Sequence, residues 1–334
     1  MLGGFHGPEA LVVLVDEGSV QTKRSPTTRQ VWAALGAVYL VWGSTYLGIR
    51  EAVRTIPPFL MAGTRFLIAG GLLFAWSVRR GDGAGDALGW PQWRATALVG
   101  TLLLACGNGG VSWAEQRVPT GVASLIIASV PIWMAVIASL RGEEPMRPQT
   151  IAGLAVGFGG VALLLRSGSA GGRSLDPAGI AVLLGASLCW ATGSVLSRSL
   201  PLPRRPLVAT GMEMITGGAV LMVMGVVGGE LSGFRLSSVS GESIAGWIYL
   251  IVIGSWVGFA SYTWLLRHAR TSLVSTYAYV NPVVAVFLGW SILGESVTWR
   301  TLVAAALIVG AVALIVVLPG SGRGRGYRSV STVK

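Results

Sequence analysis

The sequence predicts an all-α membrane protein whose ten transmembrane helices form two inverted five-helix repeats. Three observations predict this class: an apolar composition, apolar runs long enough to cross a bilayer, and an internal repeat. Of the 334 residues, 52% are hydrophobic and only 12% are charged, and the mean hydropathy is +0.67. Charged residues make up about a quarter of an ordinary soluble domain. The surplus of apolar surface therefore predicts contact with lipid.

Ten apolar runs are separated by short breaks that contain charged residues, Gly or Pro. A helix needs about 20 residues to cross the hydrocarbon core, and it must satisfy its own backbone hydrogen bonds there. Pro57 and Pro58, Pro119 and Pro201 stand at the breaks, as residues that end helices should. The predicted spans are residues 30–49, 59–78, 93–112, 121–140, 149–165, 177–197, 207–228, 244–266, 272–293 and 299–318.

The two repeats are predicted to occupy residues 30–166 and 177–318, with a polar segment at each terminus. Residues 1–29 hold one apolar stretch that is too short and too acidic for a signal peptide or a span, which predicts a cytoplasmic arm. Residues 319–334 are basic and rich in Gly and Ser. Such a segment cannot bury a core, so we expect a disordered tail against the anionic cytoplasmic leaflet.

The distribution of Lys and Arg predicts the orientation in the membrane. Of the 25 basic residues, 17 fall on the side that holds both termini, 7 fall on the opposite side, and Arg65 falls inside a span. Cytoplasmic loops carry the excess of positive charge. We therefore expect a multi-pass protein of the plasma (inner) membrane with both termini in the cytoplasm. The net charge of +11 is explained by this bias, and no aromatic-basic pattern indicates nucleic-acid binding.

An internal repeat relates the first half of the sequence to the second. Two Trp pairs, an Arg pair and a Pro pair in a nearly constant register are unlikely products of chance. Five spans per repeat means that the second copy inserts upside down, which is common in secondary carriers. The matched pairs are Trp42/Trp190, Arg50/Arg198, Gly63/Gly211 and Gly70/Gly218 at a separation of 148, and Gly107/Gly258, Trp113/Trp264, Pro131/Pro282, Glu144/Glu295 and Thr150/Thr301 at 151.

Several motifs carry a resemblance to a known family. WGSTYLGIR (residues 42–50), AGTRFLIAGG (62–71), VPTGVAS (118–124) and the turn Gly142-Glu143-Glu144-Pro145 resemble the EamA-type members of the drug/metabolite transporter superfamily. The resemblance covers residues 31–318, and the second repeat is more diverged, with WATGSVLSR in place of WGSTYLGIR. It implies a ten-helix carrier with a cavity between its halves, usually an exporter of small organic solutes such as amino acids, their analogues or drugs.

Charged side chains inside a bilayer are costly and mark candidate functional sites. Arg65 and Glu213 lie deep in predicted spans, at equivalent positions of the two repeats. Inverted symmetry predicts mirrored depths for them. Two interpretations stay open: structural contacts, including a direct ion pair, or a role in binding a solute or a coupling proton. Glu213 is the sole carboxylate well within a predicted span, which makes it the leading proton carrier if transport is proton-coupled.

Uncharged polar and aromatic residues cluster on predicted helices 1, 3, 4, 6, 8 and 9, where they are candidates for lining a solute pathway. Each also has a structural interpretation, because Ser and Thr bond to their own helix and Trp and Tyr anchor at the interface. Pro131 and Pro282 are predicted to kink helices 4 and 9. The candidate pathway residues are Trp42, Ser44, Thr45, Tyr46, Asn108, Ser112, Trp113, Ser124, Trp190, Thr192, Tyr262, Trp264, Ser275, Tyr279 and Asn281.

Other classes of function have little support in the sequence. His6 and His268 lie outside the spans, and no HExxH or GxSxG motif suggests an intramembrane enzyme. Cys106 and Cys189 form no metal-binding pattern, so neither a metal nor a cofactor is predicted. A passive channel or a membrane sensor or scaffold is the alternative to a carrier. The predicted partners are a small organic solute, lipid and a candidate coupling proton, and the small-residue pairs on helices 5 and 10 do not require an oligomer.

Overall fold

The computed structural model describes residues 27–80, 88–142, 148–166, 169–170, 173–174, 176–269 and 277–317. The predicted terminal arm and tail, the Gly142–Pro145 turn beyond its first residue, and Ser275 lie outside the described residues. The side chain of Tyr279 also lies outside them. The residues Ser169–Ala170 and Arg173–Ser174 pair as two short antiparallel strands between the two halves.

Helices account for almost all of the described chain. We number them α1 to α5 in the first half and α6 to α10 in the second. They are α1 Thr28–Ala52, α2 Pro58–Arg79, α3 Trp90–Ala114, α4 Thr120–Leu140, α5 Pro148–Arg166, α6 Pro177–Leu196, α7 Pro206–Val227, α8 Gly241–Tyr249 continuing through Leu250–Val257 and Gly258–His268, α9 Tyr277–Leu293 and α10 Trp299–Val317.

Seven of these helices are long and apolar enough to cross a membrane: α1 to α4 and α6 to α8. In α9 and α10 the apolar stretches that the structure describes are shorter, at Val280–Leu293 and Trp299–Ala311. The described chain is therefore almost entirely helical, apart from the two short strands, and it is that of a multi-pass membrane protein. We call the end of the bundle where α1 ends and α2 begins the Arg50 end, and the end where α2 finishes the Arg79 end.

The helices begin and end where the local sequence favours it. Thr27 and Gln30 form a capping box at the start of α1, and Asp176 accepts a hydrogen bond from the Ala178 amide at the start of α6. Proline stands in the first turn of α2, α3, α6 and α7, where its missing N–H costs nothing. Gly142, Gly229 and Gly294 adopt positive φ in the turns that follow α4, α7 and α9.

Repeat-related helices pack against each other across the two halves. The antiparallel helices α2 and α7 lie side by side along their length. A Cβ on Gly70 would lie 2.5 Å from Met214 Cβ, and one on Gly218 would lie 3.1 Å from the Gly63 carbonyl. The glycines that mark the repeat therefore allow the two backbones to touch. Helices α5 and α10 pair in the same way, through Gly157 and Gly160 rather than Gly310, which has nothing within 4 Å.

Two helices change their winding at overlapping positions of the repeat. Residues Thr101–Asn108 of α3 and Leu250–Val257 of α8 form π-helical segments. Such wide turns are rare and often stand at functional sites. Helix α4 is also interrupted, since its α-helical runs Thr120–Ile127 and Val130–Leu140 meet just before Pro131. Pro282 lies inside α9. The end of the α3 segment, the interruption in α4 and Pro282 line the cavity that lies between the two halves, whereas the π-helical segment of α8 does not.

Candidate functional site

A cavity of about 110 Å³ lies in the middle of the bundle, between the two halves. Its walls come from α1, α3, α4, α6, α8 and α9, and Arg65 of α2 also reaches it. Of the predicted pathway residues, those that line the cavity are Trp42, Thr45, Tyr46, Asn108, Ser124, Trp190 and Asn281, together with Pro131 and Pro282.

Several predicted residues lie elsewhere. The Ser44 hydroxyl is 2.6 Å from the Tyr249 hydroxyl, and the Thr192 hydroxyl donates to the Leu188 carbonyl of its own helix. The Arg117 guanidinium covers the Trp113 ring at 3.7 Å. Ser112 is buried and donates to the Asn108 carbonyl. Tyr262 and Trp264 pack in an apolar cluster around Leu35, Val38 and Leu265.

Residues that the repeat relates to each other line the cavity in pairs. Trp42 and Trp190 face it from α1 and α6, and Pro131 and Pro282 face it from α4 and α9. The same registers pair two further sets of lining residues, Asn108 with Phe259 and Val130 with Asn281. A cavity lined by equivalent positions of both copies lies where the two halves meet, which is the place of the solute site in inverted-repeat carriers.

Arg65 is a buried cation at the wall of this cavity. Its side chain is 2% exposed, and its Nε donates to the Ser255 hydroxyl at 3.1 Å. The guanidinium carbon lies 4.6 Å from the centre of the Phe66 ring. Its Nη1 is buried with no hydrogen-bond partner in the described chain. A cation in this state is costly, and a bound anionic group would offset that cost.

Two buried amide oxygens face the same cavity. Asn108 Oδ1 and Asn281 Oδ1 are both buried and lack a hydrogen-bond partner among the described residues. Asn281 is 8% exposed, and the residue after it is the proline inside α9. Buried acceptors are normally satisfied by a protein group or by water. These oxygens are therefore placed to accept hydrogen bonds from a solute or from water in the cavity.

Aromatic rings close the cavity on the side of the Arg79 end. The Trp42 ring lies 5.4 Å from the Phe259 ring, 4.9 Å from Tyr262 and 5.1 Å from Tyr277, measured between centroids. Tyr262 and Tyr277 also meet edge to face at 5.8 Å. Such pairs attract each other beyond simple burial of area. They join α1 of the first half to α8 and α9 of the second.

At the Arg50 end, charged residues of both halves meet in a separate layer. The Arg50 guanidinium donates to the Glu115 carbonyl, and Thr120 donates its hydroxyl to Glu115 Oε2 at 2.9 Å. The amides of Thr120 and Gly121 donate to the Glu295 carboxylate at 2.7 and 3.1 Å. An open polar pocket of about 500 Å³ lies beside this layer and is lined by Arg50, Glu51 and Glu295 among others.

Glu213 lies away from the central cavity. It is the eighth residue of α7, as Arg65 is the eighth of α2, so the antiparallel packing of these helices puts the two residues in opposite halves of the membrane. The Glu213 carboxylate forms no ion pair or hydrogen bond with another described side chain, although the Glu213 carbonyl accepts from the Thr216 hydroxyl at 3.2 Å. Arg65 pairs with no carboxylate of the described residues. Of the two, Arg65 lines the cavity.

Sequence reasoning missed the buried charge at the Arg50 end. Glu115 is fully buried although it falls in a predicted loop, and Glu295 caps a helix that is far from it in sequence. A length-based assignment of spans places both residues in water. The recurrence of Glu295 in the repeat was the available signal. The described residues contain no group of three or more His, Cys, Asp or Glu suited to a metal ion.

Comparisons with known proteins agree with this architecture. Residues 29–166 and 177–317 each match the profile of the EamA-like transporter family. The inner membrane transporter YedA of Escherichia coli K12, whose name describes it as uncharacterized, is 39% identical over 289 residues, 85% of this chain and 90% of YedA. A WAT1-related chloroplastic protein of Arabidopsis thaliana is 27% identical over 85% of this chain and 69% of its own length. Protein PecM of Dickeya dadantii is 27% identical over 82% of this chain and 88% of its own length.

A solved crystal structure shares the fold. It aligns with 87% of this chain and 98% of its own chain, with a TM-score of 0.60 and 19% sequence identity. At this identity the likeness concerns the arrangement of the helices.

Proposed function

Because the chain belongs to the EamA-like transporter family, we propose that it is a secondary transporter that moves a small organic solute by alternating access. In this proposal ten helices cross the plasma membrane as two inverted five-helix halves, residues 30–166 and 177–318. Both termini are cytoplasmic, so that the Arg79 end faces the cytoplasm and the Arg50 end faces outward. The direction is export, and a monomer is the transporting unit.

The observation that carries the proposal is the cavity lined by repeat-related pairs. Trp42 with Trp190 and Pro131 with Pro282 give each half an equivalent share of its wall. Two inverted copies of one fold can exchange their shapes, and the site between them then opens first to one side and then to the other. A channel needs no such exchange, and an enzyme needs reacting groups for which this cavity offers no obvious set.

The polar atoms of the cavity indicate what kind of solute it holds. Arg65 Nη1 offers a donor and a positive charge to a carboxylate or another anionic group. Asn108 and Asn281 offer acceptors to an ammonium or amide N–H. Trp42 and Trp190 offer flat apolar faces. A small metabolite with an anionic group, such as an amino acid or an analogue, satisfies all three features.

A proton is the proposed coupling ion, and Glu213 is one candidate carrier. Its carboxylate has no ion-pair partner among the described residues, and it lies on the helix that packs against the Arg65 helix. If Glu213 carries the proton, Glu213→Gln removes the response of transport to a pH gradient. Transport by this variant with an unchanged response would exclude Glu213 as the carrier.

The test of the proposed function is solute counterflow in proteoliposomes. Purified protein is reconstituted with an internal excess of one unlabelled solute, and the entry of its labelled form is followed. The panel contains amino acids, amino-acid analogues, sugars and cationic drugs. We expect exchange of at least one anionic or zwitterionic solute, and reduced exchange in Trp190→Ala. Thr192→Ala is the matched control, because Thr192 lies on the same helix outside the cavity. Failure of every solute to exchange would contradict the proposal.

A further inference from the structure

A buried carboxyl group, that of Glu115, lies between the central cavity and the polar pocket of the Arg50 end. Glu115 is 0% exposed and follows the last residue of α3. Tyr46, which lines the cavity, and Arg50, which lines the pocket, both interact with Glu115. Glu115 therefore interacts with one residue of each of the two spaces through which a solute would leave at this end.

Two carboxyl groups, one from each half of the protein, meet at the first turn of α4. Thr120 donates its hydroxyl to Glu115 Oε2 at 2.9 Å and its backbone N–H to Glu295 Oε1 at 2.7 Å. Glu295 also accepts the Gly121 amide, so the helix N-terminus satisfies both of its oxygens. In Glu115 only Oε2 is satisfied, because Oε1 is buried without a partner in the described structure.

The surroundings of Glu115 favour its neutral form. Burial is the main cause that raises the pKa of Glu115 to about 8; the Thr120 hydroxyl and Arg50 act to lower it, and the nearby charge of Glu295 acts to raise it. The groups that face Glu115 are Arg50 and Tyr46 from α1, Thr120 from α4, and Glu295 from the turn between α9 and α10. Withdrawal of Glu295 and entry of water both favour the charged carboxylate.

We propose that Glu115 is a proton-binding site whose occupation holds the Arg50 end closed. As this end closes and water leaves, Glu115 Oε1 takes a proton from the outer water, and the neutral acid then lies beside Glu295 at the start of α4. When the second half carries Glu295 away, Glu115 becomes hydrated and returns the proton to water. The inference rests on the alternating access of the proposed function, and it assigns the proton to a residue other than Glu213.

A pH titration of the purified, full-length protein in lipid tests the site without any solute. Infrared difference spectra follow the carbonyl stretch of protonated carboxyl groups. We expect an absorption that is lost with a midpoint well above that of an ordinary glutamic acid, and Glu115→Gln should remove the part of it that Glu213→Gln leaves in place. The matched control is Glu51→Gln, because Glu51 lies at the same end but pairs with the exposed Arg54 at 2.9 Å. An unchanged band in Glu115→Gln would overturn the proposal.

Two further variants keep the test decisive if Glu115→Gln fails to fold. Glu295→Gln removes the neighbouring negative charge and should shift the midpoint of the Glu115 band to lower pH. Thr120→Val removes the hydroxyl that supports the carboxylate and should shift the midpoint to higher pH. If Glu115 had a merely structural role, neither variant would shift the midpoint of its band. Absence of both shifts contradicts the proposal.

Closure itself is measured by the access of a thiol reagent to the cavity. A single cysteine at Val111, which lines the cavity, is introduced after Cys106 and Cys189 are replaced by Ala. The rate at which a membrane-impermeant maleimide added from the Arg50 end labels this cysteine is divided by its rate at an exposed reference cysteine, Ser232→Cys at the same end, so that the ordinary titration of the thiol cancels. This relative rate should fall as the pH falls, and the fall should be lost in Glu115→Gln. A retained dependence would overturn the inference. Counterflow remains the separate test of the proposed function, since the titration and the labelling need no solute.

Discussion

At the scale of single residues, Arg65 says most about the solute. A guanidinium has five N–H donors, and burial of any that lack a partner is unfavourable. Here the Nε reaches Ser255 and the Phe66 ring covers one face, but Nη1 has no partner in the described chain. The protein therefore keeps a costly group that is directed at the cavity. The cost is offset only when an anionic solute or ordered water occupies the site.

Replacing Arg65 should weaken binding of an anionic solute while the fold is kept. A charged hydrogen bond contributes about 1.5–3 kcal/mol, so Arg65→Gln should raise the KM of counterflow by roughly 10- to 100-fold. Arg65→Lys keeps the charge but loses the planar donor pair, so its KM should lie between those of the wild type and Arg65→Gln. Arg79→Gln is the control, because Arg79 is an exposed arginine at the other end of the same helix. Equal KM values for Arg65→Gln and the wild type would contradict the assignment.

The titration of Glu115 predicts a pH dependence of stability. The ordinary pKa of this group is 4.5 and burial raises it to about 8, so the folded state binds the proton more tightly. Its contribution is complete below the ordinary pKa and is lost as the pH rises through about 8. We expect the melting temperature in detergent to fall across this range in the wild type and to fall less in Glu115→Gln. Parallel curves for the two proteins would show that Glu115 does not titrate in this way.

At the scale of helices, glycine determines how closely α2 approaches α7. A methyl group on Gly70 would lie 2.5 Å from Met214 Cβ and 2.9 Å from the Gly211 carbonyl. The next residue, Gly71, has nothing within 4 Å of the same added atom. Two adjacent glycines on one helix therefore have opposite surroundings. Gly70 therefore lies on the surface of α2 that contacts α7, and Gly71 does not.

Alanine at these two positions should have opposite effects on stability. Gly70→Ala forces the helices apart and should cost about 1–3 kcal/mol, as overpacking usually does. Gly71→Ala should be neutral or stabilise the protein by up to roughly 0.5–1 kcal/mol, because alanine is the better helix former. Thermal unfolding in detergent measures both, and each variant is the control for the other. A loss of stability in Gly71→Ala as large as in Gly70→Ala would contradict the described packing.

A second carboxylate fastens the two halves at the Arg50 end. Glu230, after α7, accepts the Phe59 and Leu60 amides of α2 at 3.1 and 2.9 Å. Removing such a helix cap costs about 0.5–2 kcal/mol. Glu230→Ala should lower the melting temperature and speed maleimide labelling of a cysteine at Val111. Glu242→Ala, at an exposed acidic residue of the same end, should change both little. Slower labelling in Glu230→Ala would show that this contact does not hold the end closed.

At the scale of the whole molecule, the sequence predicts the helices that line the cavity more accurately than it predicts the individual side chains that line it. Trp190 faces the cavity and Thr192 does not. The reason is that side chains two positions apart on a helix point in directions about 200° apart. The π-helical turns in α3 and α8 also shift the helical phase, and apolar patterns do not reveal such turns. Glu115 and Glu295 meet through tertiary packing over 180 residues of sequence, which loop assignments cannot anticipate.

The orientation of the molecule decides what each end of the cavity does, and it is open to a direct test. The bias of 17 basic residues against 7 predicts that the Arg79 end is cytoplasmic. Ser232, after α7, is exposed at the Arg50 end, and Ser199, after α6, is exposed at the Arg79 end. In a background without Cys106 and Cys189, an impermeant maleimide should label Ser232→Cys in intact cells. Ser199→Cys should react only after the membrane is permeabilised. The reverse labelling pattern would show the opposite orientation in the membrane, in which Glu115 would take its proton from the cytoplasm.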